Sequence, residues 1–383
     1  MNQRLSAFIS ERIAANDFPS AVYLVAEKGE IVYHDALGNA VVTPEVIPAR
    51  LDTIYDLASL TKVVVTGLLT AKLVGENTIS LDDNVGRFLG KDREGTELKN
   101  LLSHTSGLPS WLPFYLLPGA PESDPDDYAC FSENNDRIGD FIRGYILNCE
   151  PASSPRTTVT YSDPNFLLLG FLTETIVGTN LAAAFLETVV DRLSLQRTSF
   201  WGDGGTPKTA ASELGNEYER QTCIEKFPEL LIPPSAFRTR EIWGEVHDGN
   251  AYFMGGVAGH AGLFSTAEEV FKIALQFLPQ YTTLLKPETC ELFRTNFTKG
   301  MNEARSFAFQ LASTEGSTAG TSMSPESFGH NGFTGTSLWI DPVKDRIFIL
   351  LTNRTHNHPL PFANINSVRR RFHDIAIEEL DRN

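Results

Sequence analysis

The chain has 383 residues, of which 42% are hydrophobic and 21% charged, as expected for a folded protein with a substantial core. Its 32 basic and 48 acidic residues give a net charge of −16, which argues against nucleic acid or an anionic membrane surface as partner. A chain this long is expected to form two lobes or domains. Its four cysteines show no paired spacing, so neither a zinc site nor a disulfide framework is predicted: Cys130, Cys149, Cys223 and Cys290.

The N-terminal residues 5–13 have apolar side chains at helical spacing, with charged residues between them. They lack the continuous apolar run of a signal peptide, and no stretch is expected to span a membrane. We therefore predict a cytoplasmic protein with no membrane partner. Residues 21–26 and 31–34 are β-rich and flank Gly29, which predicts a hairpin.

Ser59 and Lys62 precede an apolar run, residues 63–71, that predicts a buried helix. Residues three apart on a helix share a face, so the two side chains are expected to meet. Burial is expected to lower the pKa of Lys62 toward a value useful for proton transfer, and such a lysine can activate a serine hydroxyl. The S-x-x-K spacing also arises by chance, and three consecutive valines also fit a core strand, so this segment alone does not decide the function.

The middle of the chain is predicted to be mostly helical and its end to return to strands. Residues 201–250 are irregular in pattern, and a loop region of this length is usually functional or a lid. Residues 98–109 are predicted to form a short helix that ends in a Ser/Gly/Pro turn. The other predicted helices cover residues 138–147, 166–177, 181–193, 268–278 and 364–380, and the late strands cover 336–340 and 346–352.

Strands near both termini therefore bracket the helical middle. The simplest architecture is an α/β lobe built from residues 1–78 and 305–383. A mostly helical lobe, residues 79–304, is then inserted between these two parts.

A second candidate motif is Tyr161-Ser162-Asp163. Asp163 precedes a proline and fits the N-cap of the following helix, and Tyr161 fits a half-buried packing residue. In the functional interpretation, the Tyr161 phenol moves a proton between Ser59 and a leaving group. The ordinary pKa of a phenol is high, so this role needs a nearby cation, which Lys62 can supply.

A third candidate motif, residues 329–336, carries three glycines at the start of a late strand. Glycines at this density suggest a close approach of the backbone to a ligand or to another element. A backbone N–H on this strand, opposite the N–H of Ser59, would form a two-donor oxyanion hole. The alternative is a glycine-rich turn that carries one surface histidine, His330.

The three motifs together resemble those of the penicillin-recognising serine hydrolases, in the same order and with similar spacing. They are Ser59-x-x-Lys62, Tyr161-Ser-Asp163 and His330-Asn331-Gly332. The chain is most similar to the class C β-lactamase-like branch, which includes carboxypeptidases, D-aminopeptidases, esterases and amidases. LLSHTSGLP at 101–109 and AGLFSTAEEV at 261–270 also resemble family segments, so the resemblance covers nearly the whole chain.

The resemblance implies an α/β (α+β) fold of the β-lactamase/transpeptidase type, with a central antiparallel sheet flanked by helices and an α-rich insertion. It implies that Ser59 is acylated, that Lys62 assists its deprotonation and that Tyr161 acts as general base and then acid. The N–H groups of Ser59 and Phe333 would form the oxyanion hole. Asp163, His330, Asn331, Gly332 and Phe333 would contact the substrate.

Two departures from the family pattern bear on the substrate. His330 replaces the lysine of true β-lactamases, where the cation helps to hold a substrate carboxylate. Asp163 replaces an asparagine and adds a negative charge. Both changes favour an ester, amide or peptide substrate over efficient hydrolysis of a β-lactam. No metal or organic cofactor is predicted. The segment 246–266 resembles a subgroup of cell-wall carboxypeptidases and amidases, which suggests a muropeptide-like substrate.

Three alternatives stay open at this point. A metallohydrolase could use His247, Asp248 and His260, although a glycine-rich loop whose polar side chains anchor the cleft rim explains them better. A non-catalytic member could bind penicillin-like or peptidoglycan fragments as a sensor. The protein could also be a weak β-lactamase. His104, in the SHTSGLP turn, is interpreted as structural.

Overall fold

The computed structural model describes residues 1–90, 95–122, 133–202 and 204–382. Cys130 lies outside these residues, and the other three cysteines are free thiols. The helices are α1 Gln3–Ala14, α2 Leu68–Gly75, α3 Gly86–Leu89, α4 Leu98–Leu102, α5 Glu133–Asn148, α6 Asp163–Val177, α7 Leu181–Phe185, α8 Glu217–Lys226, α9 Gly249–Phe253, α10 Ala267–Ala274 and α11 Asn366–Leu380. The strands are β1 Ser20–Glu27, β2 Glu30–Val41, β3 Ile47–Pro48, β4 Tyr55–Asp56, β5 Ala211–Leu214, β6 Glu241–Trp243, β7 Phe264–Ser265, β8 Gln310–Leu311, β9 Phe328–Asn331, β10 Ser337–Asp341 and β11 Arg346–Thr352.

The central sheet is antiparallel and joins the two ends of the chain. Its strand order is β3-β2-β1-β11-β10-β9-β8, and β1 pairs with β11 from Ala21 opposite Thr352 to Glu27 opposite Arg346. Tight hairpins connect β1 to β2 and β10 to β11, which antiparallel pairing permits. The predicted fold class, an antiparallel sheet with flanking helices, is confirmed.

Side chains alternate between two cores on the two faces of the sheet. Val22 and Leu24 face an inner core that continues through the helices of the middle of the chain. Tyr23 faces an outer core that α1 and α11 cover. The inner core contains side chains from both predicted lobes, for example Leu24 and Phe166. The division into lobes at residues 78 and 304 stays a prediction.

The buried helix predicted after Ser59 is a composite rather than a regular α-helix. Ala58–Leu60 is a 3₁₀ turn, Lys62–Gly67 is a π-helix, and α2 continues to Gly75. Widened turns of this kind occur often at functional sites. Thr66 donates from its hydroxyl to Gly259 O at 2.6 Å, which ties the widened segment to a neighbouring loop.

This composite helix is also the exception to the prediction that no stretch qualifies as a membrane span. Ala58–Gly75 qualifies by length and composition, and 72% of it is buried inside the protein, which is typical of a core helix. The bent pair Asp163–Val177 and Leu181–Val190 would also qualify if it were counted as one span. The stretch passes this test because its apolar side chains belong to the inner core, and the absence of a membrane span stays a prediction. The cytoplasmic location stays a prediction.

The region predicted to be irregular, residues 201–250, contains more structure than its pattern indicates. It includes α8 and the pairing of β5 with β6. α8 has a polar composition with little amphipathic periodicity, so the helical pattern was not visible in the sequence.

Candidate active site

A two-strand pairing holds the segment that carries Ser59. β4 pairs with β7, the Leu57 N–H donates to Leu263 O at 2.9 Å, and the Leu263 N–H donates to the Thr61 hydroxyl at 3.2 Å. These bonds fix the start of the composite helix against residues 260–265.

The residue before Ser59 adopts an unusual backbone conformation. Ala58 has a φ of 47°, in the left-handed region, which costs a residue with a Cβ about 1 kcal/mol. Its N–H donates to Asp56 Oδ1 at 2.8 Å, and the other oxygen of that carboxylate accepts from the His247 N–H at 2.8 Å. This bridge stabilises the turn, which leaves the Ser59 side chain partly exposed in a cavity.

Lys62 is fully buried beneath this turn. Its ammonium donates to Ser59 Oγ at 2.8 Å and to His260 O at 3.0 Å. It also forms an ion pair with Asp163 Oδ1 at 2.8 Å. The structure therefore shows the predicted contact between the Ser59 and Lys62 side chains.

The prediction that burial lowers the pKa of Lys62 is wrong in its net result. Burial does lower this pKa, but the charge of Asp163 and the contact with Tyr161 raise it by more, so it lies above its usual value. Lys62 is an ammonium ion at neutral pH. Sequence spacing could not show that the Asp163 carboxylate comes this close.

Tyr161 lies beside both groups. The Lys62 Nζ is 5.2 Å from the centre of its ring, and Tyr161 lines the same cavity as Ser59. Burial raises the pKa of Tyr161, and although the Lys62 charge opposes this, the net direction is upward. The phenol is therefore protonated at neutral pH.

His104 packs behind Tyr161, with the two ring centres 4.7 Å apart. Its Nδ1 accepts from the Ser162 N–H at 3.0 Å and lies 3.2 Å from the Asn165 side-chain amide. Burial holds the pKa of His104 well below its usual value, so the ring is neutral. Its contacts support the interpretation of His104 as structural, because it positions the second motif.

Asp163 is not the N-cap of the following helix, although the sequence predicts it. Ser162 is the N-cap, and Asp163 is the first residue of α6, followed by Pro164. Its carboxylate turns toward Lys62 and lines the cavity.

The third motif lies where β9 ends and the chain turns into β10. A Cβ on Gly332 would lie 2.6 Å from Leu57 O and 2.0 Å from Thr336 Oγ1, so only glycine fits. The Thr336 hydroxyl donates to Leu57 O at 2.9 Å and the Thr334 hydroxyl donates to Asp56 O at 2.8 Å. The predicted close approach of backbones is thus between this turn and the Ser59 turn.

This approach brings Phe333 and Ser59 to the same cavity. Among the described residues, neither the Ser59 N–H nor the Phe333 N–H donates to a protein acceptor. Two free N–H donors beside a serine hydroxyl are the arrangement that an oxyanion hole requires.

His330 differs from a lysine in charge as well as in shape. Burial, together with Arg305 and Lys62, holds the pKa of His330 well below its usual value. Its Nδ1 lies 2.9 Å from Asn331 O, and since a carbonyl only accepts, Nδ1 carries the proton. His330 is therefore neutral, and its Nε2 is a bare acceptor.

The neighbours of His330 form one wall of the cavity. The Asn331 side-chain amide lies 2.9 Å from the Thr318 hydroxyl. The Phe333 ring stacks on His247 at 5.4 Å and lies under the Arg354 guanidinium at 4.9 Å.

The candidate metal ligands of the 246–260 loop separate in the structure. His247 Nε2 lies 2.8 Å from Glu213 Oε2, whereas His260 Nε2 lies 3.0 Å from Asp248 Oδ1. Among the described residues, Asp163, Asp248 and His260 do place possible ligand atoms within 4.8 Å of one another. The Lys62 ammonium neutralises Asp163 here, and a positive neighbour of this kind opposes a metal ion. The set His247, Asp248 and His260 is not assembled.

All the predicted site residues except Lys62, which lies beneath, line one cavity of about 520 Å³. Its other walls include side chains that sequence reasoning missed: Trp111, Tyr218, Glu219, Arg305, Arg354 and Arg369. Burial raises the pKa of Glu219 to about 8 and lowers that of Arg369 to about 9. These residues are isolated in the sequence, and no local pattern indicates that they meet.

A serine hydroxyl beside a buried ammonium and a phenol, in a cleft next to an antiparallel sheet, defines an acyl-transferring serine hydrolase. Residues 5–369 match the family described as Beta-lactamase, and the chain belongs to that family. The resemblance inferred from the three motifs is confirmed.

Curated relatives cover most of the chain. A protein of Escherichia coli strain K12 named "Putative D-alanyl-D-alanine carboxypeptidase" is 29% identical over 382 residues, covering 93% of this chain and 83% of that protein. A Salmonella gallinarum protein of the same name is 30% identical over 388 residues, covering 94% and 84%.

Solved structures show the same fold at low sequence identity. The octameric penicillin-binding protein homologue from Pyrococcus abyssi is 19% identical, with a TM-score of 0.69 over 98% of this chain and 77% of that one. EstCE1, described as a hydrolase with promiscuous acyltransferase activity, has the same identity and TM-score, over 97% of each chain. A class C β-lactamase is 15% identical, with a TM-score of 0.68 over 98% and 95%.

Proposed function

We propose that Ser59 is the nucleophile of this serine hydrolase and forms an acyl-enzyme with an ester or amide. The observation that carries this proposal is the 2.8 Å contact between Ser59 Oγ and the buried Lys62 ammonium, beside Tyr161. The neutral phenol accepts the Ser59 proton and passes its own proton to the leaving group. The Lys62 ammonium stabilises the negative charge that develops on Ser59 Oγ and the Tyr161 oxygen during this transfer.

Bond making and proton transfer balance in both steps. Ser59 Oγ bonds to the carbonyl carbon, the C–O or C–N bond breaks, and the leaving group departs with the proton from Tyr161. The N–H groups of Ser59 and Phe333 stabilise the oxyanion. Water then attacks the acyl-enzyme, its proton moves through Tyr161 to Ser59, and the acid product leaves. The proposed chemistry uses these side chains and needs no cofactor.

The substrate that we propose is a small ester, amide or peptide. The names of the curated relatives favour a D-alanyl-D-alanine peptide, and the size of the cavity supports a ligand of this scale. We further propose that the protein acts without a nucleic-acid or membrane partner, in keeping with its charge of −16. β-Lactam hydrolysis is a weaker candidate, because His330 is neutral.

The test is hydrolysis of p-nitrophenyl acetate and N-acetyl-D-Ala-D-Ala by wild type, Ser59→Ala and Lys62→Met. Ser59→Ala should reduce kcat/KM for a turned-over substrate by more than roughly a thousandfold. Lys62→Met should be nearly as damaging, because its charge is required. Circular dichroism and Tm serve as the folding control. Full activity of a folded Ser59→Ala variant would contradict the assignment of Ser59 as the nucleophile.

A further inference from the structure

Asp56 is a buried carboxylate that joins two segments distant in the chain. It is 5% exposed and does not line the cavity. Its Oδ1 accepts from the Ala58 N–H and its Oδ2 accepts from the His247 N–H, both at 2.8 Å. Burial raises the pKa of Asp56, and the two N–H donors oppose this shift because they stabilise the ionised form. Because burying a charge is costly, a carboxylate at this position calls for an explanation.

The first of these bonds alone would not require an acid. A side-chain oxygen that accepts from the N–H two residues later forms a local turn, and asparagine does this as well as aspartate. The second bond is different, because it reaches His247, 191 positions along the chain. An asparagine can accept through one oxygen only, since its other terminal atom is a nitrogen that donates. The bridge therefore requires the carboxylate.

One end of this bridge fixes the backbone next to the nucleophile. Asp56 holds the Ala58 N–H, and the φ of Ala58 is 47°, in the left-handed region that residues with a Cβ rarely adopt. The conformation of Ala58 sets the orientation of the next peptide unit, which is planar and carries the Ser59 N–H. That N–H is one of the two donors proposed for the oxyanion hole.

The other end of the bridge reaches the second proposed donor, Phe333. Asp56 holds the backbone of His247, and the Phe333 ring stacks on the His247 ring with their centres 5.4 Å apart. A separate bond links Asp56 to the residue after Phe333, because the Thr334 hydroxyl donates to Asp56 O at 2.8 Å. Asp56 therefore contacts both turns whose N–H groups would bind the oxyanion.

We propose that Asp56 is a positioning residue that fixes the separation of the Ser59 and Phe333 N–H groups, through its carboxylate on one turn and its carbonyl group on the other. An oxyanion hole acts mainly on the transition state, since its donors are placed where negative charge develops. The inference rests on the proposed function, to which the oxyanion hole belongs. It goes beyond that function by naming a residue that touches neither the substrate nor the reacting atoms.

The test compares p-nitrophenyl acetate with p-nitrophenyl thionoacetate, in which sulfur replaces the carbonyl oxygen. Sulfur is a weak hydrogen-bond acceptor, so the ester gains more from two well-placed donors than the thionoester does. The measured quantity is the change in the ratio of the two kcat/KM values between enzymes, from which intrinsic reactivity cancels. Asp56→Asn keeps the shape of the side chain but loses one of its two acceptors. We expect the oxo-to-thiono ratio to fall by roughly three- to thirtyfold, less than the effect of deleting an oxyanion-hole donor.

The matched control is Asp341→Asn. Asp341 is 1% exposed, and its two carboxylate oxygens also accept from backbone N–H groups, those of Ser324 at 3.0 Å and Val343 at 3.1 Å. It lies at the end of β10 and does not line the cavity. This variant should have a lower Tm but the wild-type oxo-to-thiono ratio.

Three results would overturn the inference. An equal loss of both activities in a folded Asp56→Asn variant would show that Asp56 only stabilises the fold. An unchanged ratio in that variant would show that the donors keep their positions without the bridge. A fall of the same size in Asp341→Asn would show that the ratio reports general destabilisation.

A second pair of variants keeps the inference testable if Asp56→Asn does not fold. Thr334→Val removes the hydroxyl that bonds to Asp56 O and retains the size of the side chain. Thr173→Val removes a buried hydroxyl of α6 that donates to Leu169 O at 2.8 Å, outside the cavity. The ratio should fall by roughly two- to tenfold in the first variant and keep the wild-type value in the second. The same ratio in both variants would overturn the inference.

These outcomes separate the two proposals. Ester hydrolysis through Ser59, with a ratio that neither Asp56→Asn nor Thr334→Val changes, contradicts this inference and leaves the acyl-enzyme mechanism intact. Full ester hydrolysis by a folded Ser59→Ala variant contradicts the proposed function, and this inference with it.

Discussion

At the scale of single residues, the charge state of the site depends on one ion pair. Lys62 is completely buried, and burial alone would favour its neutral form. The Asp163 carboxylate, 2.8 Å away, reverses that outcome and keeps an ammonium beside Ser59. In the proposed mechanism, this fixed cation stabilises negative charge on Ser59 while Tyr161 moves the proton.

Asp163→Asn tests this arrangement, because it removes the charge that raises the pKa of Lys62. The proposed mechanism requires the Lys62 ammonium, so it predicts that kcat/KM falls as pH rises through the pKa of Lys62. The variant should therefore lose activity at a lower pH than wild type. The measurement is the pH dependence of kcat/KM for an ester that the wild type hydrolyses.

Asp140→Asn is the matched control, since Asp140 forms an exposed pair with Arg143 on α5. The loss of kcat/KM at alkaline pH should occur at the same pH in this variant as in wild type. If Asp163→Asn loses activity at the same alkaline pH as wild type, Asp163 does not set the charge of Lys62.

At the scale of elements, the site depends on contact between two turns. The Ser59 turn is strained at Ala58, and the β9–β10 turn presses Gly332 against Leu57 O. Hydroxyl groups of Thr334 and Thr336 bond across this contact. Ser59 and Phe333 line one cavity because the turns touch.

Gly332→Ala should break this contact, since the added Cβ has no room beside Leu57 O and Thr336 Oγ1. We expect a loss of roughly 2 kcal/mol or more in the free energy of unfolding, with a fall in kcat/KM. Urea unfolding and ester kinetics measure the two effects.

The control for this change is Gly144→Ala, because a Cβ on this residue of α5 meets nothing within 4 Å. It should stabilise the protein by about 0.5–1 kcal/mol. A Gly332→Ala variant as stable and active as Gly144→Ala would show that the turns need not touch.

The elements with strong periodicity were predictable from the sequence, and so were the three motifs. The hairpin, the late strands and α11 follow from local patterns that tertiary contacts reinforce. The composite helix after Ser59, α8 and the charge of Lys62 were not predictable. They depend on contacts made by residues distant in the chain, such as Asp163 with Lys62 and Thr66 with Gly259. Arg305 and Glu219 reach the cavity in the same way, without a sequence signal.

At the scale of the whole molecule, the fold brings three distant chain segments to one place. The pairing of β1 with β11 closes the sheet across the two termini and places β9 beside the Ser59 turn. The start of α6, in the helical middle of the chain, contributes Asp163, and Tyr161 lies two residues before it. One inner core runs beneath all of them. Its continuity explains how residues about 270 positions apart, Ser59 and His330, share a cavity.

The most direct test of the central claim is the intact mass of the protein after incubation with a fluorophosphonate probe. Separate incubation with a penicillin tests acylation by a β-lactam. The account predicts one covalent fluorophosphonate adduct per chain on the wild type, mapped to Ser59 by peptide digestion, and none on Ser59→Ala. An adduct of equal size on a folded Ser59→Ala variant would contradict it, because the reactive group would then be another residue.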